Sequence, residues 1–174
     1  MAETRTDTAS RIAAFLDAHH VLSLATCGPE GPHAASLFYA RDGLALVWMS
    51  DPASRHSADL ERDGRAAATI APDCFEMGDI RGIQMTGGAH AILAASDRLR
   101  AQQLMQARFP YVGRLSRAPA LLREAYARMA FYRLEPRRVV LIDNSRGFGH
   151  KDVIELPPPA QGSSRDLPLS FDAA

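Results

Sequence analysis

Four residues within seven positions could hold an anion: Ser50, Ser54, Arg55 and His56. A serine hydroxyl and an arginine fork both donate hydrogen bonds to phosphate oxygens, and an imidazole can do so when protonated. Ser50-Asp51-Pro52 ends an apolar run, because proline cannot donate to a ladder and Asp-Pro favours a turn. Ser54 is a suitable N-cap for a short helix over 55–61, whose first amides would lack intrahelical partners and carry part of a positive dipole. A phosphate can use those amides together with Arg55. A charge-assisted hydrogen bond contributes about 1.5–3 kcal/mol and an exposed helix dipole about 0.3–1 kcal/mol, so Arg55 should dominate. A capping serine beside a surface arginine also occurs in connections that bind nothing, and the spacing by itself does not separate the two cases.

The elements that must position this loop can be read on either side of it. Residues 44–49 are an unbroken apolar run, too short for a typical helix and suited to a strand buried on both faces. Asp63-Gly64 breaks the short helix, and 66–71 returns as a strand. Upstream, Thr8 or Ser10 can cap a helix with Ile12, Phe15 and Leu16 on its apolar face. Strands are expected over 21–26 and 33–40, and Asp42-Gly43 is a hairpin signal leading into the apolar run. Downstream, the longest strand is expected over 80–93, with Ile83 and Met85 on one face and Gln84 and Thr86 on the other. Gly87-Gly88 suggests a bulge in it. Helices follow from Ser96 or Asp97 to Phe109 and from Pro119 onward, the second with Leu121, Leu122, Ala125 and Met129 inward. Strands over 131–134 and 139–142 complete a mainly β (α+β) domain, a six-stranded antiparallel split β-barrel with short decorating helices. One domain over 1–156 is expected, with a proline- and serine-rich tail over 157–174.

Composition narrows the function classes. The chain has 174 residues and a formal net charge of zero, so nothing pulls it globally toward nucleic acid or an anionic membrane. Lys151 is its only lysine. Cys27 and Cys74 follow no metal or disulfide spacing, which predicts reduced thiols. With no apolar leader and no segment able to span a bilayer, a cytoplasmic protein is expected. There is no GxGxxG, GxxxxGK[ST], GxSxG or HExxH, so the commonest nucleotide, hydrolase and zinc-protease readings fall away. No side chain stands out as a nucleophile or general base.

The order of these pieces carries a resemblance. A meander, then Ser50-xxx-Ser54-Arg55-His56 between strand and helix, then the glycine-spaced strand RGIQMTGGAH, resembles the FMN-binding split barrel of the pyridoxamine 5'-phosphate oxidase-like superfamily. The ending FYRLEPRRVVLIDNSRGFGHK is similar to a bacterial branch of that superfamily that is distinct from the vitamin B6 oxidases proper. The resemblance implies an FMN phosphate at Ser54, Arg55 and His56. Trp48, Met49 and Ser50 would flank the ribityl chain and ring, and the strand holding Ala35 and Ser36 would line the isoalloxazine. Gln84 would meet the flavin from the partner subunit or the barrel floor of a homodimer. It also implies a flavin-dependent oxidoreductase whose redox step belongs to the cofactor. Related barrels take haem or the deazaflavin F420 instead, and a non-catalytic flavin-binding or sensor protein is the other alternative. Two departures argue against pyridoxine 5'-phosphate as substrate. The second-strand arginine of the B6 oxidases is replaced by His33 or Ala34, and their C-terminal Arg-Leu-Ala-Pro signature is missing. The usual second basic residue is lysine; here it is His56, charged near neutrality only if the phosphate raises its pKa. Apolar surface on strands 44–49 and 80–93 predicts a two-fold dimer.

Overall fold

The computed structural model describes residues 5–157. The expected tail over 157–174 lies outside them except for Pro157. Among the described residues, eight strands form one antiparallel sheet rather than the six expected. They are β1 (Val21–Gly28), β2 (Gly31–Phe38), β3 (Ala40–Asp42), β4 (Ala45–Ser50), β5 (Arg65–Ile70), β6 (Arg81–Ala91), β7 (Ala130–Asp143) and β8 (Lys151–Glu155). Four helices decorate them: α1 (Arg5–Ala18), α2 (Arg55–Arg62), α3 (Ala95–Arg108) and α4 (Ala120–Arg128). The sheet order is β2-β1-β5-β6-β7-β4-β3, with β8 on the free part of β7. The sheet curls until β2 approaches β4 without hydrogen bonding to it, which leaves the barrel split.

Strict alternation makes the barrel wall. In β1, Leu22, Leu24 and Thr26 point inward while Ser23, Ala25 and Cys27 point out. Ile83 and Met85 are buried and Gln84 and Thr86 exposed, as the alternation predicts. The interior is filled by Leu22, Leu24, Leu46, Trp48, Leu134 and their neighbours, and α1 closes one end with Ile12 and Leu16. Tyr39 Oη donates to Leu16 O at 2.8 Å and the Arg108 guanidinium donates to the carbonyls of Leu16, Asp17 and His19, so the end of α1 is tied to the barrel.

β4 is buried on both faces, and the second face has its cover within the same chain. Val47 packs with Ala101 and Met105 of α3 and with Phe109 just past its end in a separate cluster. That strand therefore needs no partner subunit to hide it. The remaining differences from expectation are local. α1 begins before Thr8 and Ser10, and Ser10 donates to Thr6 O inside the helix. Ala94 occupies the cap position of α3 in place of Ser96 or Asp97. Leu121 and Leu122 of α4 are exposed instead of inward. The two late strands are one long β7, because Pro136 falls at a bulge where its missing N–H costs nothing.

That bulge depends on Gly87, which faces Pro136. A Cβ at Gly87 would stand 2.1 Å from the Glu135 carbonyl oxygen, a backbone atom that cannot swing away. Gly87→Ala should cost about 3 kcal/mol, the upper end of overpacking. Gly88→Ala, whose Cβ meets nothing nearer than 4.0 Å, should cost far less. Urea unfolding of the two variants side by side checks this; equal midpoints would remove the bulge from the account.

Candidate functional site

The end of β4 and the start of α2 gather Ser50, Ser54, Arg55 and His56 as the spacing predicts. Asp51 turns the chain: its carboxylate accepts from Ala53 N at 2.9 Å and its carbonyl from Ser54 N at 2.9 Å. Ser54 occupies the N-cap position but its hydroxyl caps nothing. It lies 2.8 Å from Ser57 Oγ, as donor, and 3.1 Å from His56 Nε2. The first-turn amides of α2 are therefore left without the side-chain partner that a capping serine normally provides. Arg55 extends over the β1–β2 turn, where it donates to Gly31 O at 3.2 Å and lies 3.6 Å from the Glu30 carboxylate. Its side chain stays 38% exposed, so a ligand can reach it.

His56 sits deeper than its neighbour Arg55. It is buried, with Nε2 2.5 Å from Ser50 Oγ. Burial lowers its pKa, His33 of β2 lowers it further, and Asp59 acts in the opposite sense. The ring thus carries little charge at pH 7, in keeping with the expectation that only a phosphate would charge it. The sign of the linkage follows. Since the unfolded chain takes up this proton at higher pH than the folded one, stability is full above about pH 6.5 and falls as pH drops below it. Thermal scans from pH 7.5 to 5 should show the decline, and His56→Gln should flatten it. The slope cannot exceed about 1.4 kcal/mol per pH unit for one proton. The lowered carboxylates Asp17 and Asp143 act in the same direction only at more acid pH.

The other residues separate. Trp48 is fully buried and stacks on Tyr132, centroids 5.8 Å apart, so its ring faces the interior and cannot wall a surface site. Met49 is half-buried against the α3 cluster. Ala35 turns toward the barrel, while Ser36 points out.

Ser36 and Gln84 prove to be two ends of one row. Ser36 pairs with Ser23, Ser23 with Thr69, and Thr69 with Gln84, all four exposed on the outer face. The neighbouring row is Ala34, Ala25, Ala67 and Thr86. Together they make a shelf of short side chains across four strands, rimmed at one end by exposed Val21 and Phe38. The shelf is reached from Arg55 along β2: Gly31 to Ser36 is about 17 Å at the usual strand rise. Sequence reasoning missed Ser23 and Thr69, whose place depends on a long-range strand pairing. It also missed Ser57, His33 and the buried Asp59, which accepts from Thr26 Oγ1 at 2.9 Å. A groove of about 1600 Å³ between α2, α3 and the β6–β7 bulge adjoins the shelf and shares Ala25, Ala67 and Thr86 with it. Arg100 and Arg133 within it are both tied to Asp42, whose carboxyl they hold well below the usual range.

The donor set fits a phosphorylated flavin on two counts. Arg55, Ser54 and uncapped amides offer donors to a phosphate, and the short side chains of the shelf leave its face open to a ring. No group of three or more His, Cys, Asp or Glu able to hold a metal occurs among the described residues. No helix among them is long and apolar enough to cross a membrane.

Comparison with known proteins places this geometry. The pyridoxamine 5'-phosphate oxidase family profile matches residues 9–143. A UPF0306 protein of Serratia proteamaculans (strain 568) is 30% identical over 148 residues, 84% of this chain and 94% of the relative. Among solved structures, a heme-binding protein from Mycobacterium smegmatis superimposes with a TM-score of 0.67 at 22% identity, over 89% of this chain. This chain spans only 59% of that protein. A putative pyridoxamine 5'-phosphate oxidase from Listeria innocua gives 0.61 at 18% identity, over 78% of this chain and 98% of that one.

Proposed function

Because the chain belongs to the pyridoxamine 5'-phosphate oxidase family, in a branch shared with the UPF0306 proteins, we propose that it is an FMN-binding oxidoreductase acting as a homodimer. The observation that carries this reading is the pairing of an uncapped, arginine-flanked start of α2 with an uncovered shelf of short side chains. The phosphate is held by Arg55, Ser54 and the first amides of α2. The ring lies along β2 beside Ser36, where Ala34 and Ala25 add no bulk. Gln84, at the far end of the polar row, stands three strands away, so one ring meets both ends only if a second chain folds its own shelf against the first. Bound FMN supplies the redox chemistry, and the protein binds it, orients it and excludes water.

Haem is the second reading, favoured by the name of the Mycobacterium smegmatis neighbour. Haem carries carboxylates and no phosphate, so it leaves the α2 start unexplained. A deazaflavin is told from FMN by its spectrum. Purified protein titrated with FMN, riboflavin and hemin separates the readings. FMN should bind to one per chain and more tightly than riboflavin, which lacks the phosphate; hemin binding without FMN binding overturns the flavin assignment. Sedimentation at low micromolar concentration should give a dimer, with an interface above about 2,000 Å². A monomer that still holds FMN tightly overturns the shared site. NAD(P)H-dependent reduction of the bound flavin then separates an enzyme from a carrier.

A further inference from the structure

Three seryl hydroxyls, Ser50, Ser54 and Ser57, cluster at the His56 ring and the start of α2. Ser50 Oγ and Ser54 Oγ both address the same ring atom, Nε2, at 2.5 and 3.1 Å. A deprotonated Nε2 has one lone pair and can take one seryl proton; a protonated Nε2 donates and takes none. Ser50, His56 and Ser57 are buried, whereas Ser54 is half-exposed at the start of α2. Ser54 Oγ donates to Ser57 Oγ at 2.8 Å, so the single lone pair of the neutral ring serves Ser50, and Ser54 Oγ is left as an acceptor beside Nε2.

The groups facing the ring come from each element packed on it. On β2 the His33 ring lies parallel to it, centroids 6.3 Å apart. On α2, Asp59 sits one turn along, held by Thr26 of β1. Outside are the Arg55–Glu30 pair and, in the preceding turn, Asp51. Asp59 is the buried negative charge beside the ring; burial and His33 oppose a proton on it.

We propose that this cluster is a proton-coupled phosphate receptor: binding of a phosphate monoester at the start of α2 draws one solvent proton onto His56. Nε2–H then donates to Ser50 Oγ, and the Ser54 hydroxyl turns from Ser57 Oγ to donate to the phosphate. No covalent bond forms, and the imidazole gains the proton that the solvent loses. The proposal rests on the reading of this loop as the phosphate site. A bound dianion a few Å away tips the balance that burial and His33 set against the charge, and an opposite charge at that range moves a pKa by about one unit or more. The receptor thereby favours phosphate esters over neutral ligands and binds them better at slightly acid pH. The useful window is about pH 6.5–8, above the second ionisation of the ester itself.

Calorimetry of FMN binding at pH 7, in two buffers of different ionisation enthalpy, should show net proton uptake of up to about half a proton per FMN, the most a one-unit rise allows, and none for riboflavin. His56→Gln should still bind FMN, more weakly, with no uptake and a flat pH profile. In parallel, long-range ¹H–¹⁵N NMR should follow the His56 ring, assigned through His56→Gln, with FMN and with inorganic phosphate. A rise in its pKa of about one unit with either ligand supports the receptor. A rise with phosphate but no FMN binding keeps the receptor and removes the flavin. An unchanged His56 pKa with both ligands, or uptake persisting in His56→Gln, overturns the proposal.

Discussion

Trp48→Ala is expected to cost about 3–5 kcal/mol, the range for emptying a large aromatic from a close-packed core. Trp48 is fully buried in the barrel, packed with Leu22, Leu24, Leu46 and Leu134 and stacked on Tyr132. A domain of this size has about 5–15 kcal/mol to lose, so the variant should melt roughly 10 °C or more below the parent. Trp48→Phe should be much milder. It leaves a smaller void, and it also removes the indole Nε1, a buried donor with no partner among the described residues. The pair of variants separates packing from ligand contact. Below its melting temperature, Trp48→Ala should bind FMN as the parent does, because the ring faces the core. A selective loss of FMN affinity in a folded Trp48→Phe protein would return Trp48 to the site.

Trp48 also shows what the sequence could and could not disclose. An apolar run of six residues identifies a strand buried on both faces, but it does not say which face meets the interior and which meets α3. That choice is made by the pairing of β4 with β7, more than eighty positions away in the chain. The same limit hid the polar row. Ser23 and Thr69 carry no local signal, and only the β1–β5 and β5–β6 registers align them between Ser36 and Gln84. The loop from Ser50 to His56 was legible because its geometry is local: a strand end, a turn at Asp51 and a helix start within seven residues. What local reading could not supply was depth. Nothing local to His56 marks it as buried, and it is the packing of α2 on β1 and β2 that turns it inward. The final strand was missed for a simpler reason: Lys151–Glu155 is short and polar at both ends, and it follows a turn in which Gly147 and Gly149 adopt positive φ.

Arg55→Ala is expected to weaken FMN binding by about 1.5–3 kcal/mol, roughly ten- to a hundredfold. Among the described residues the guanidinium has exposed partners, the Gly31 carbonyl and the Glu30 carboxylate at 3.6 Å. An exposed pair of this kind contributes at most about 1 kcal/mol. A phosphate dianion offers a fork-shaped cation two charge-assisted bonds instead, so the exchange favours the ligand. Arg55→Lys should recover only part of the loss, because a point charge lacks the planar fork. Glu30→Gln should bind FMN as well as the parent or slightly better, since the competing carboxylate is gone. Riboflavin supplies the control: its affinity should be nearly the same in all four proteins, because the part of the ligand that Arg55 touches is absent. An Arg55→Ala protein that binds FMN undiminished, while keeping its preference over riboflavin, would put the phosphate elsewhere on the barrel.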